Sequence, residues 1–222
     1  MRNDISKTTN ILNHLKTLPY FTLDDILVIE KKQYLLRILL SRFSKSGKII
    51  RLKKGIYVTA DYLADIKRRN LYSNYSEFVA GIIYEPSYLS MDYILYEKNI
   101  LTEIPKNIIS VSVKKTQLLT NDFGNFYYHS IKPELFCGYE IVIENKLSFK
   151  KATAAKALFD FLYLRKNILS FEDSIKELRL NLDELTVGDI KELGKYIKLE
   201  DSKKMSVIYN ILIKLWKASK KN

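Results

Sequence analysis

Residues 31–58 read KKQYLLRILLSRFSKSGKIIRLKKGIYV, and the expected fold follows from how this stretch divides. From Lys31 to Lys45 the apolar side chains recur at a spacing near 3.6, which predicts a helix. Leu35, Ile38, Leu39 and Arg42/Phe43 fall on one stripe, with Gln33, Tyr34, Arg37 and Ser41 opposite. Gly47 follows and supplies a stop, because glycine takes the left-handed conformation that ends helices. Two β-prone runs come next, Ile49-Ile50-Arg51-Leu52 and Ile56-Tyr57-Val58, on either side of Lys53-Lys54-Gly55. A glycine-containing turn between such runs predicts a hairpin, with Ile50 and Leu52 sharing a face with Ile56 and Val58.

Toward the N-terminus, residues 6–17 read as a first helix carrying Ile11, Leu12 and Leu15 on one face, and Pro19 ends it. Thr22-Leu23-Asp24-Asp25 reads as a helix start, with Thr22 capping free amides and two carboxylates at the positive helix end. Asp24 and Asp25 therefore read as capping residues rather than an acid/base pair. Three helices followed by a β-hairpin is the order of a winged helix-turn-helix. In that architecture the helix before the hairpin enters the major groove, and the hairpin reaches backbone or minor groove.

Toward the C-terminus, residues 61–73 form a boundary zone containing the basic run Lys67-Arg68-Arg69. A helix is expected over about 76–84, closed by Pro86, and another after Ser90 with Ile94 and Leu95 on its apolar side. Strands are expected at Ile108–Val113, Phe126–Ile131 and Tyr139–Ile143, with a turn at Asn121-Asp122-Phe123-Gly124. Helices over about 152–167, 171–180, 182–197 and 202–219 close the chain. The expected class is α+β: a winged-helix domain over residues 1–70, then an α+β domain over 71–222 with a small sheet and a helical C-terminal part.

Charge points to a partner. The 222 residues carry a formal net charge of +12. Residues 1–70 hold 15 Lys/Arg against 6 Asp/Glu, whereas 71–222 hold 22 against 19. A surplus concentrated in one third of the chain suggests a polyanion, either nucleic acid or an anionic membrane, where a uniform solubility surplus would be spread evenly. From Lys31 to Lys54 there are nine basic residues and no acid. The candidate DNA-binding residues are Lys31, Lys32, Gln33, Tyr34, Arg37, Arg42, Lys45, Lys48, Arg51, Lys53 and Lys54. Lysines and arginines that neutralise phosphates release counterions, Arg bonds guanine bidentately and Gln bonds adenine. Lys53 and Lys54 suit phosphate contact at the hairpin tip. RNA, or a protein bound through a solvated basic face, are the alternatives. A membrane surface fits less well, because Leu35, Ile38 and Leu39 are expected to pack the small domain rather than enter lipid.

Other classes find little support. Cys137 is the single cysteine, so no internal disulfide is expected, and a reducing cytoplasmic setting fits. It reads as a core or turn residue. Met1-Arg2-Asn3-Asp4 is followed by no apolar run, so no signal peptide is expected. No stretch approaches the about 18 apolar residues of a membrane span. His14 and His129 are the only histidines, and one cysteine with two histidines makes no zinc-type cluster. The glycines are too scattered for a phosphate loop. Neither metal, cofactor nor catalytic residue is expected. The C-terminal helix, with Val207/Ile208, Ile211, Leu212, Leu215 and Trp216 among lysines up to Lys221, reads as a docked helix with a wet face.

Three passages carry a family resemblance. Leu39–Tyr57 is similar to a helix, a "k-x-G-x-I-x-R" strand and a "k-G-x-Y" wing. Pro86-Ser87-Tyr88-Leu89-Ser90-Met91-Asp92-Tyr93-Ile94-Leu95 is similar to "P-x-Y-I-S-x-x-S-A-L". Ala152-Thr153-Ala154-Ala155-Lys156-Ala157-Leu158-Phe159-Asp160 is similar to "A-x-x-E-K-A-L-x-D". In this order the passages resemble the AbiEi antitoxins of bacterial abortive-infection AbiE systems, over about residues 10–200. Tyr93-Ile94 replaces the usual small Ser-Ala, and Ala155 stands where Glu is common. Lys156 and Asp160, four apart on a helix, read as a surface ion pair or a domain clamp, worth a few tenths of a kcal/mol.

The resemblance implies an N-terminal domain that binds inverted repeats in its own promoter as double-stranded DNA and represses it. It also implies a C-terminal domain that counters a nucleotidyltransferase toxin of a type IV system without a stable complex. Two other readings remain from the residues themselves: a plain winged-helix regulator whose C-terminal region senses a ligand or partner, and an enzyme whose polar cluster would lie in a concave pocket.

Overall fold

The computed structural model describes residues 7–27, 31–169 and 171–220. Residue 6 of the expected first helix, and Lys221, lie outside them. The fold is mixed α+β, with a three-stranded antiparallel sheet and a larger six-stranded mixed sheet. The chain divides into two compact units, one built from residues 1–79 with 121–123, the other from 80–120 with 124–222. The expected boundary after residue 70 falls between two helices of the first unit.

The first unit runs α1 (Lys7–Leu15), β1 (Phe21–Thr22), α2 (Leu23–Leu27), α3 (Gln33–Lys45), β2 (Ile49–Lys53), β3 (Ile56–Thr59) and α4 (Ala60–Arg68). The start of α5 (Tyr72–Ile83) also belongs to it. β1 joins the hairpin as a third strand, giving the order β1-β3-β2. The core is Ile11, Leu15, Phe21, Ile26, Leu36, Leu40, Phe43 and Ile49.

Asp25 caps the start of α2 as expected, whereas Thr22 donates to it rather than accepting from free amides. The Asp25 carboxylate accepts from the backbone N–H and the hydroxyl of Thr22, at 2.7 and 2.8 Å.

Two faces differ from the sequence reading. In α3 the buried side chains are Leu36, Leu40 and Phe43, whereas Leu35 and Ile38 are 39% and 47% exposed. Nearly every position from 35 to 40 is apolar, so spacing alone supports two stripes; the one at i, i+4, i+7 from Leu36 meets the core. In β2 the buried residues are Ile49 and Leu52, not Ile50 and Leu52. Arg51 pairs with Tyr57 and Lys53 with Ile56, leaving Leu52 as the extra residue of a bulge. The bulge offsets the alternation by one, so Leu52 reaches the face of Ile49.

The second unit contains β4 (Ser87–Leu89), α6 (Met91–Glu97), β5 (Ile108–Ser112), β6 (Gln117–Asn121), β7 (Gly124–Ser130), β8 (Tyr139–Glu144) and β9 (Leu147–Ala152). Its helices are α7 (Ala154–Arg165), α8 (Glu172–Lys176), α9 (Val187–Glu200) and α10 (Lys203–Ser219). The strand order is β6-β7-β5-β4-β9-β8. β5 runs parallel to β7, and β4 parallel to β9.

α7 is buried from Ala155 through Leu162, as a helix enclosed on all sides must be. α10 docks through Met205, Ile208 and Leu212, and the Trp216 indole donates to the Leu185 carbonyl at 3.1 Å. Its Lys214 reaches Glu172 of α8 at 2.8 Å.

Candidate nucleic-acid interface

The N-cap residue of α3 is Lys32, whose side chain makes no capping hydrogen bond. It ends in a Schellman turn, in which Gly47 N–H donates to the Ser44 carbonyl at 3.1 Å and Lys48 N–H to the Phe43 carbonyl at 2.9 Å. Gly47 takes φ of +66°, which a β-carbon disfavours. This stop turns the chain directly into β2. The tip of the hairpin is Lys53-Lys54-Gly55, where Gly55 takes φ of +86°.

All eleven candidate residues are exposed: Lys31, Lys32, Gln33, Tyr34, Arg37, Arg42, Lys45, Lys48, Arg51, Lys53 and Lys54. Since Leu36, Leu40 and Phe43 mark the buried line of α3, the line turned away from the core is Tyr34, Ile38, Ser41 and Lys45, at i, i+4, i+7 and i+11. Arg37 flanks this line on one side, and Leu35 with Arg42 on the other. Lys48 lies 5.9 Å from the centre of the Phe43 ring, just past the helix end. No carboxylate stands between residues 31 and 54, so the nine cations cannot pair within the segment.

The basic run at 67–69 is different. The Asp65 carboxylate lies 2.5 Å from Arg68 and 3.5 Å from Arg69, and the hydrogen bond from Arg68 lowers its pKa most. That run is partly neutralised by its own helix.

The exposure of Leu35 and Ile38 removes one ground for setting a membrane aside, since neither is consumed in packing. The remaining ground is geometric. Two aliphatic side chains between cations make a narrower face than an interfacial helix buries. No helix among the described residues is long and apolar enough to cross a membrane.

The second unit holds an open cleft of about 960 Å³. Its lining includes Asp92, Lys106, Tyr127, His129, Arg165 and Arg179. Arg165 bonds the Asp92 carboxylate at 3.2 and 3.4 Å and lies 3.7 Å from the centre of the Phe161 ring. The His129 ring sits 4.3 Å from that of Tyr127. Burial and the Arg165 charge lower the His129 pKa, and Asp92 opposes them. These residues come from α6, β7, α7 and separate loops, so no local motif announces them.

Cys137 is half-buried and does not line the cleft. Among the described residues no group of three or more His, Cys, Asp or Glu is arranged to hold a metal.

Lys156 and Asp160 are not a surface pair. Both are fully buried, 2.8 Å apart. Lys156 also donates to the Leu135 carbonyl at 2.7 Å and stands 4.5 Å from the Phe159 ring centre. Asp160 accepts from the Tyr88 hydroxyl at 2.9 Å and the Ser90 hydroxyl at 2.7 Å. Ser90, expected as a cap, is thus committed to Asp160 and makes no side-chain cap. Burial raises the Asp160 pKa, and Lys156 opposes that most strongly. The motif-like passages 86–95 and 152–160 therefore meet in one buried network, which is structural in character.

Comparison with family models and with curated proteins finds no match for the chain.

Proposed function

We propose that the first unit is a winged-helix module that binds double-stranded DNA, with α3 in the major groove and the β2–β3 tip on phosphates. One observation carries this reading: eleven polar and basic side chains are exposed along one helix and the hairpin after it, in a segment with no acid. The order helix, strand, helix, helix, hairpin supports it, as does the small sheet that β1 completes. In this reading Arg37, beside the outward line of α3, contacts base edges, and Lys53 and Lys54 neutralise phosphate; Gln33 extends the buried line and is not assigned a base. The start of α3 beside Lys31 and Lys32, where the N-cap side chain is a cation and not an acceptor, offers an anion-binding helix end.

On the resemblance to AbiEi antitoxins, the chain is further proposed to repress its own promoter at inverted repeats and to counter a nucleotidyltransferase toxin without a stable complex. On that proposal it works in the cytoplasm, catalyses no reaction and needs no cofactor. A gel shift on duplex DNA from upstream of its own gene tests the first part. A shift abolished by excess of the same duplex but not by a shuffled one is expected. No shift at low salt, or equal competition by both, overturns specific repression. Rescue of cells expressing a neighbouring nucleotidyltransferase gene tests the second part.

The cleft at His129 and Arg165 favours a second reading, a winged-helix regulator that senses a ligand. Under it, the chain does not rescue cells expressing the neighbouring gene, and Arg165→Ala alters repression.

A further inference from the structure

Resting on the reading of α3 as a major-groove helix, we infer that Leu35 and Ile38 read thymine methyl groups. Ile38 lies on the outward line of α3 with Tyr34, Ser41 and Lys45, and Leu35 lies one turn before it on the adjoining surface. Both are substantially exposed, at 47% and 39%. They are not surplus core, because Leu36, Leu40 and Phe43 fill the buried line.

The patch is small, and Arg37, Arg42 and Lys45 surround it. An occupant must therefore combine negative charge with isolated apolar groups of about methyl size. Duplex DNA has both: phosphates along the groove walls and, on the base edges of the major groove, the C5 methyl of thymine as the apolar group. Cytosine lacks that methyl, so an aliphatic side chain separates the two pyrimidines without a hydrogen bond. Arg37 addresses guanine, and Leu35 and Ile38 supply the pyrimidine contact their cationic neighbours cannot.

Removing the methyl alone tests this. Full-length protein is titrated against a duplex from upstream of its gene, and against the same duplex with every thymine replaced by uracil. Each methyl buried against an aliphatic side chain contributes about 0.8 kcal/mol, or roughly fourfold in affinity. The expected result is several-fold weaker binding to the uracil duplex. In the variant with Leu35→Ala and Ile38→Ala the ratio of the two affinities falls toward one. Both sites are exposed and alanine favours helix, so an unchanged melting temperature confirms folding. Equal wild-type affinity for the two duplexes overturns methyl reading while leaving DNA binding intact. A thymine preference that survives in the variant overturns the assignment to these residues. Failure to bind either duplex at low salt overturns DNA binding by α3, and the inference with it.

Discussion

Asp160 shows how a side chain's surroundings outweigh its spacing. Four residues after Lys156 on a helix, it has the placement of a solvent-exposed ion pair, yet both groups are fully buried. Removing one partner strands the other charge in the interior, which costs about 3–5 kcal/mol. Asp160→Ala is expected to lower unfolding free energy by that amount in a denaturant titration. A loss under about 1 kcal/mol, the scale of an exposed pair, would mean that Lys156 finds another partner or reaches water. Tyr88 and Ser90 lose their acceptor in the same variant, so the effect belongs to the whole network. Nothing in the passages 86–95 and 152–160 taken separately reveals this, because the contacts span 70 and 72 residues.

The stop after α3 was readable from the sequence because glycine after an apolar helical run has one common use. A β-carbon added at Gly47 would meet nothing within 4 Å, so its φ of +66° is the sole obstacle to substitution. Gly47→Ala is expected to cost about 1–2 kcal/mol, read from the shift in unfolding midpoint. No shift would show that the Schellman turn re-forms in another conformation. The existence of α3, the hairpin and the closing helices was equally open to pattern reading. The buried face of α3 was not, because the run from Leu35 to Leu40 supplies two apolar stripes. The face of β2 was hidden by a bulge, and β1, α4, β4, β6 and β9 were missed. β4 is only three residues long, and β6 has mostly exposed side chains with no apolar face to mark it. The tie between α8 and α10 gives a pH-dependent test. Hydrogen bonds from Lys176 and Lys214 pull the Glu172 pKa down from its usual 4.5 to about 2. A lowered folded-state pKa stabilises above the unfolded value and ceases to do so as pH falls through the folded one. Wild type is therefore expected to exceed Glu172→Gln in stability at about pH 6, with the gap closing as pH falls from 4.5 to about 2. A gap independent of pH would exclude the carboxylate as its source.

Across the whole molecule, the charge is divided as the proposed labour is. Residues 1–70 carry most of the +12 surplus, and the acid-free segment 31–54 concentrates it on α3 and its hairpin. The candidate interface was visible in the sequence because charge is a property of composition. The aliphatic pair within it was not, since it depends on which stripe the core takes, and the cleft around His129 and Arg165 is assembled from distant segments. DNA binding through this face requires release of counterions in proportion to the phosphates it neutralises. The most direct measurement is the affinity of the full chain for its upstream duplex as a function of salt, with and without Lys53→Ala and Lys54→Ala together. With about six phosphate contacts, log K is expected to fall against log salt with a slope of about −5, and the double variant to flatten it by about 2. A wild-type slope near zero, or a slope unchanged in the variant, would contradict the placement of the hairpin tip on the DNA backbone.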